Sequence, residues 1–169
     1  KESFALVSDP TTGAVKAIAG IRLITNGKDN SFQDVSINVI KNAYTVGSAV
    51  KGASMTVGYE QGIIDIGTTM TDSCVKLANI PAKCSFKRLG VVDDVEALAM
   101  SSNYYQFIIA LGIMGYNYTY NMKAEATEEN FELYRDTFAK YGLGTSTGID
   151  LPGETTGLKG ELVAPDLLM

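Results

Sequence analysis

The hydrophobic pattern at the start of the chain is typical of a β-hairpin. Two short apolar segments, residues 3–8 and 14–21, flank an Asp-Pro-Thr-Thr-Gly cluster, and this order predicts two paired strands joined by a turn. Residues 26–42 show no sustained hydrophobic period, and Asn26-Gly27 favours a turn. We interpret that segment as a loop with at most a short helix.

Helical periods predominate after this segment. Apolar residues recur at spacings of three and four over residues 48–61, and Gly58 with Gly62 brackets the expected end of that helix. Further helices are predicted over residues 93–100, from 104 to near 115 and from 128 to near 142, with Asp93, Glu96 and Thr127 as capping residues. Residues 63–91 support no detailed prediction, and the Gly- and Pro-rich tail from Gly148 is interpreted as a loop.

These elements predict one α+β domain that is mostly helical and has a β-hairpin at its N-terminus. The chain has 169 residues, 46% of them hydrophobic, which is enough to bury a core. Residues 1–47 would form the hairpin and a connecting loop, and residues 48–169 the helical portion. A lone hairpin is marginal in water, and the chain opens on Lys1 rather than Met. We therefore expect a fragment whose remaining sheet strands lie beyond Met169.

Composition narrows the chemistry that the chain can perform. The formal net charge is −5 and the 14 basic residues are scattered, so we expect no nucleic-acid partner. The chain contains no His, which leaves a Lys, a carboxylate or a thiolate as the base for a nucleophile. It has neither a long apolar run nor the zones of a signal peptide, so we expect no membrane-inserted segment. Cys74 and Cys84 could form a disulfide or remain two free thiols.

Two pairs of polar residues are candidates for a catalytic site. Ser48 and Lys51 are three positions apart on a predicted helix, which places both side chains on one face. A Ser hydroxyl needs a base, and a Lys amine can serve when burial and a helix N-terminus lower its pKa. Ser101 and Asn103 lie where two predicted helices meet, and we predict that this turn faces Ser48. There Ser can relay a proton and Asn can donate to a substrate carbonyl.

Each pair also has a purely structural interpretation. Ser-x-x-Lys occurs by chance on many helices, where it is only two polar residues on one face. Ser102 can cap the helix that follows it, while its neighbours satisfy local backbone groups. Considered singly, neither pair establishes a catalytic site.

The order of four segments is more specific than either pair. Residues 7–17, Val46-Gly47-Ser48-Ala49-Val50-Lys51-Gly52, Ser101-Ser102-Asn103 and residues 141–152 together resemble the transpeptidase domain of class B penicillin-binding proteins. The resemblance spans nearly the whole chain. Within the family, residues 47–56, 58–62 and 101–114 resemble the penicillin-binding protein 2b type of Gram-positive bacteria.

The resemblance implies a partial serine β-lactamase/transpeptidase-like fold and a peptidoglycan D,D-transpeptidase. Ser48 would attack a D-alanyl-D-alanine stem peptide, with Lys51 as base, Ser101 as proton relay and Asn103 as substrate-binding residue. The acyl-enzyme would pass to an amine of a neighbouring stem peptide, and a β-lactam would acylate the same Ser48. No cofactor or metal is implied. The parent protein would be anchored in the cytoplasmic membrane, act outside it and belong to a cell-wall synthesis complex.

The family's third motif, Lys-Thr-Gly or Lys-Ser-Gly, does not occur in the 169 residues. In the family it lies on a strand that lines the cleft and gives the second oxyanion N–H, so we expect the chain alone to acylate slowly or not at all. The exposed hairpin edge makes a dimer through strand pairing a further expectation.

Two alternatives remain open from the sequence. A serine β-lactamase or β-lactam-sensing domain would share the fold and the nucleophile, although we find no Glu-x-x-Leu-Asn segment after Asn103 and the 144–152 run favours cell-wall enzymes. A noncatalytic scaffold of the same fold is the other alternative.

Overall fold

A computed structural model of the chain describes residues 1–159, which fall into two compact units. The first unit contains residues Lys1–Tyr44 and Thr145–Leu158, and the second is built on Thr45–Gly144. In chain order the elements are β1 (Glu2–Ser8), β2 (Val15–Asn26), β3 (Asp29–Asp34), α1 (Asn38–Lys41), a 3-10 turn (Gly47–Val50), α2 (Lys51–Glu60), β4 (Met70–Thr71), β5 (Val91–Val92), α3 (Asp94–Ala99), α4 (Asn103–Ile113) and α5 (Glu128–Lys140).

The first unit carries an antiparallel sheet of order β1-β2-β3. The predicted hairpin is confirmed, with Leu6 opposite Ile18 in the β1–β2 register. The interpretation of residues 26–42 as a loop with at most a short helix is confirmed by the short helix α1 but is wrong for residues 29–34. The expectation of only two strands is also wrong, because β3 pairs with β2 from Asn26↔Asp29 onward. All six residues of β3 are exposed, so the strand has no buried face and no apolar alternation to reveal it.

The turn between β2 and β3 explains how a strand forms without a hydrophobic pattern. A two-residue loop, Gly27-Lys28, joins Asn26 to Asp29, and Gly27 has φ +63°. A Gly with positive φ at the first loop position is typical of the tight turns that match the twist of paired strands. Backbone hydrogen bonds to β2 then hold β3 in place.

The predicted helices of the second unit are confirmed with shifted ends. Asp93 and Glu96 form a capping box at α3, and Thr127 caps α5 through Asn130. The helix predicted over residues 48–61 begins instead as the 3-10 turn and becomes α-helical only at Lys51. The expectation of no further strands is also wrong, since β4, within the segment that supported no prediction, pairs with β5 at the end of that segment.

The core of the second unit fixes α2 against α4. Met55, Ile109 and Tyr105 are buried together with Ile64, Val92 and Ala97. The helix α2 ends at Glu60, between Gly58 and Gly62 as predicted. A Cβ on Gly58 would stand 3.0 Å from Ile109 Cγ2. The missing side chain therefore allows the two helices that carry the candidate residues to approach closely.

The tail from Gly148 contains no helix or strand up to residue 159, which agrees with the predicted loop. The rest of that predicted loop, including Gly160 and Pro165, lies outside the described residues.

A disulfide joins Cys74 to Cys84, which resolves the alternative that the sequence left open. Val75 and Lys83, directly inside the bridge, exchange two backbone hydrogen bonds, so the segment is a closed hairpin. We call residues 72–85 the disulfide hairpin.

Replacing Cys74 and Cys84 together by Ser is expected to lower the free energy of unfolding by about 3 kcal/mol, because the bridge closes a loop of about ten residues in the unfolded chain. Urea unfolding of the 169-residue chain measures the difference. Reductant should destabilise the parent chain to the same extent and leave the double Ser variant unchanged. Equal midpoints for the two chains in the absence of reductant would contradict a stabilising bridge.

Candidate active site

Ser48 and Lys51 lie at the junction of the 3-10 turn and α2. Gly47, with φ +56°, takes a left-handed conformation that favours glycine, and Ser48 follows it in the first helical turn, exposed to solvent. Lys51 is the first residue of α2 and is only 8% exposed. The sequence prediction that Ser48 occupies the first turn of a helix with Lys51 beside it is confirmed.

Ser101 and Ser102 form the turn between α3 and α4. Ser101 has φ +57°, its N–H donates to Leu98 O, and the N–H of Ser102 donates to Ala97 O. This is a Schellman ending of α3 with Ser101 at the position where glycine is usual. A non-glycine residue there costs on the order of 1 kcal/mol. This cost indicates that the Ser101 side chain has a role other than stabilising the turn.

Ser102 begins α4 immediately after this turn. It is the N-cap of α4, is completely buried, and accepts a hydrogen bond from Tyr105 N at 3.0 Å. The structural interpretation of Ser102 as a cap is therefore correct. It does not exclude a catalytic role for its neighbours Ser101 and Asn103. Only three residues separate α3 from α4, and the backbone N–H groups of Ser101 and Ser102 are both hydrogen-bonded to α3. These bonds restrict the backbone conformation of the turn.

One hydrogen-bond network joins all four predicted site residues. Lys51 Nζ donates to Ser101 O at 2.7 Å, to Ser101 Oγ at 2.9 Å and to Asn103 Oδ1 at 2.6 Å. Ser101 Oγ in turn donates to Ser48 Oγ at 2.9 Å. The prediction that the Ser101–Asn103 turn faces Ser48 is confirmed, and Ser101 bridges Ser48 and Lys51.

Burial changes the acid–base character of Lys51. Desolvation lowers the pKa of its ammonium group below the ordinary value for lysine, because a charged amine loses hydration when it is buried. A neutral amine has a lone pair that can accept a proton, and both Ser hydroxyls can rotate. If the two hydroxyls reverse direction, the network can carry a proton from Ser48 through Ser101 to Lys51.

The disulfide hairpin also holds Asn103, at its amide Nδ2 and at its backbone N–H. Asn103 Nδ2 donates to Cys84 O at 3.0 Å, and the Asn103 backbone N–H donates to Ser85 Oγ at 2.9 Å. Sequence reasoning did not identify Ser85 or its partner Asp72. The Cys74 and Cys84 spacing was the one signal that could have brought these residues together, and it was compatible with free thiols.

Among residues 1–159, no helix has the length and apolar character needed to cross a membrane.

Comparison with known proteins identifies the family. A family model for the penicillin binding protein transpeptidase domain matches residues 3–165. Penicillin-binding protein H of Bacillus subtilis is 33% identical over 157 residues, which are 93% of this chain and 22% of that protein. Penicillin-binding protein 2B of Streptococcus pneumoniae is 37% identical over 160 residues, which cover 91% of this chain and 23% of that protein.

Solved structures give the same result for the fold. Penicillin-binding protein 2B from S. pneumoniae strain R6 matches with a TM-score of 0.83 at 34% identity and covers 94% of this chain and 26% of that chain. The same protein from strain 5204 matches with a TM-score of 0.82 at 36% identity, over 92% of this chain and 26% of that chain. The expected partial α+β transpeptidase fold is confirmed, and this chain spans about a quarter of each solved chain. The chain belongs to the penicillin-binding protein transpeptidase domain family.

Proposed function

We propose that the chain carries the nucleophile side of a peptidoglycan D,D-transpeptidase, in which Ser48 forms an acyl-enzyme with a D-alanyl-D-alanine stem peptide. The observation that carries this proposal is the hydrogen-bond network from Ser48 through Ser101 to Lys51 and Asn103. The network gives an exposed hydroxyl a route to a buried amine of lowered pKa. A Ser nucleophile needs a base for acyl transfer, and in a chain without His the amine of Lys51 can be that base.

The proposed reaction begins when the Ser48 proton passes through Ser101 to neutral Lys51. Ser48 Oγ bonds to the carbonyl carbon of the penultimate D-alanine, and the peptide bond to the terminal D-alanine breaks. The proton returns to the leaving amine, so that free D-alanine departs. The amine of a neighbouring stem peptide then attacks the ester carbonyl, and the bond between this carbon and Ser48 Oγ breaks. A proton from the attacking amine passes to Ser48, and a cross-link has formed.

Two further groups are suited to holding the substrate. The Ser48 backbone N–H lies in the first turn of a helix, where N–H groups have no acceptor within the helix and can stabilise an oxyanion. Asn103 Nδ2 uses one hydrogen for Cys84 O, and its second hydrogen is available for a substrate carbonyl.

The Lys-Thr-Gly motif of the family is not among the 169 residues. We propose that this motif completes the cleft, so acylation experiments use a chain continued through it. We call this the extended protein.

The names of the relatives support the same reaction class. A protein of Acinetobacter baumannii named peptidoglycan D,D-transpeptidase MrdA is 25% identical over 165 residues. We propose stem peptides and β-lactams as the ligands of the extended protein. We also propose an anchor in the cytoplasmic membrane, with this domain outside it as part of a cell-wall synthesis complex. A dimer through the edge of β1 or β3 is the remaining proposal.

A time course with labelled penicillin tests the proposed function. We expect the extended protein to take up one label per chain and to keep it, because a penicillin-binding protein deacylates slowly. Continuous release of hydrolysed penicillin would instead indicate a β-lactamase. An extended protein that folds and takes up no label would indicate a noncatalytic scaffold.

The acylation rate of the extended protein is expected to rise with pH. Protonated Lys51 has no lone pair, so the rate should be low at low pH and should increase as the neutral amine becomes populated. Because burial lowers the pKa of Lys51, the midpoint should lie below the ordinary pKa of lysine. Stopped-flow acylation, with circular dichroism to check the fold at each pH, measures the profile. A rate that is flat or falls with rising pH would rule out Lys51 as the base.

A further inference from the structure

The disulfide hairpin brings Asp72 to Ser85. The Cys74–Cys84 bridge and the Val75–Lys83 backbone pair close the hairpin just inside these two residues. Ser85 Oγ donates to Asp72 Oδ2 at 2.6 Å. Asp72 is only 9% exposed, so this carboxylate is buried at the mouth of the hairpin.

The same carboxylate oxygen accepts a second hydroxyl. Ser102 Oγ donates to Asp72 Oδ2 at 2.7 Å. A hydroxyl has one hydrogen, and both Ser hydroxyls donate theirs to Asp72 Oδ2, so Asp72 fixes the direction of both hydroxyls. Each Ser oxygen then presents its lone pairs to a backbone N–H of α4, Ser85 to Asn103 and Ser102 to Tyr105.

We propose that Asp72 is a positioning residue that acts through Ser85 and Ser102 to hold Asn103 in its acylation geometry. Asp72 contacts neither Ser48 nor Lys51 in the network described above, so its effect on the reaction is indirect. The expected effect of Asp72 on acylation rests on the proposed function. Its expected effect on the Asn103 backbone rests on the geometry alone.

Asp72→Ala removes the acceptor of both hydroxyls, which can then turn away from the first turn of α4. A displacement of about 1 Å in an active site can cost about a hundredfold in rate, so acylation of the extended protein should fall about tenfold to a hundredfold. Asp72→Asn keeps one side-chain oxygen as an acceptor and should restore most of the rate. Asp136→Ala, which removes an exposed carboxylate on α5, is the matched control and should leave the rate unchanged.

A double-mutant cycle with Asn103→Ala separates positioning from a general loss of stability. If Asp72 acts through Asn103, Asp72→Ala should cost clearly less in the Asn103→Ala background than in the parent protein. Equal losses in the two backgrounds, or no loss in either, would overturn the inference. If Asp72→Ala does not fold, the same cycle is run with Asp72→Asn, whose smaller loss should also depend on Asn103, and an independent loss would again overturn the inference.

Hydrogen exchange of the Asn103 backbone amide, followed by NMR in the 169-residue chain, does not depend on acylation. We expect faster exchange in Asp72→Ala than in Asp136→Ala, and an equal rate would overturn the inference. An extended parent protein that is not acylated would count against the proposed function. The exchange result would then still decide whether Asp72 holds the Asn103 backbone.

Discussion

Ser48→Ala is expected to abolish covalent labelling of the extended protein by penicillin. The exposed Ser48 hydroxyl is the group that the network connects to Lys51, and without it the acyl group has no ester oxygen to bond. Loss of a serine nucleophile typically costs on the order of 10⁶ in rate. Labelling is measured by gel fluorescence at times long enough for the parent protein to be labelled completely.

Ser31→Ala is the matched control for this change. Ser31 is an exposed residue on β3, and its replacement should leave labelling unchanged. Labelling of Ser48→Ala at the rate of the parent protein would show that another residue carries the acyl group. The melting temperatures of the two variants, compared with the parent, confirm that each is folded.

Lys51→Met is expected to slow acylation by about 10²–10⁴-fold, the usual range for loss of a general acid–base group. Met keeps much of the length of the buried side chain but cannot accept a proton. Lys51→Arg is the sharper variant, because guanidinium stays protonated and offers donors without a lone pair. If Lys51 is the base, Arg should be nearly as slow as Met. If Arg restored the parent rate, positive charge rather than proton transfer would be the contribution of this position.

Lys123→Met provides the matched control, since Lys123 is an exposed residue of the same unit. It should acylate at the parent rate. Lys51 also donates to Ser101 and Asn103, so its loss leaves half-buried acceptors without this donor and should destabilise the fold. Thermal unfolding of each variant measures this contribution, and rates are compared at a temperature where every variant is folded.

The helices could be predicted because their signals are local. Asp93 and Glu96 cap α3 within four residues of sequence, and the apolar period of α4 lies on one short segment. The grouping of Ser48 with Lys51 followed from helical spacing in the same way. Contacts between distant segments have no such local signal. The prediction that Ser101 and Asn103 face Ser48 rested on the two helical periods that meet at their turn and on the resemblance to the family.

Other features depend on contacts between segments, which the hydrophobic pattern of a single segment does not indicate. Strand β3 is polar and wholly exposed, so the tight turn at Gly27 and the backbone pairing with β2 determine its conformation. Asp72 is one carboxylate in an aperiodic segment, and its importance appears only when the disulfide hairpin brings it to Ser85 and Ser102. The left-handed conformation of Ser101 was likewise hidden, because glycine is the residue that sequence reasoning expects there.

Tandem mass spectrometry of the penicillin-treated extended protein tests the central claim, that Ser48 is the nucleophile of this site. Digestion places the acyl group on a peptide, and fragmentation distinguishes Ser48 from Ser54, Ser101 and Ser102. The account predicts a single penicilloyl group on Ser48, present in amounts close to one per chain. A penicilloyl group on Ser101 or on any other residue, with Ser48 unmodified, would contradict it.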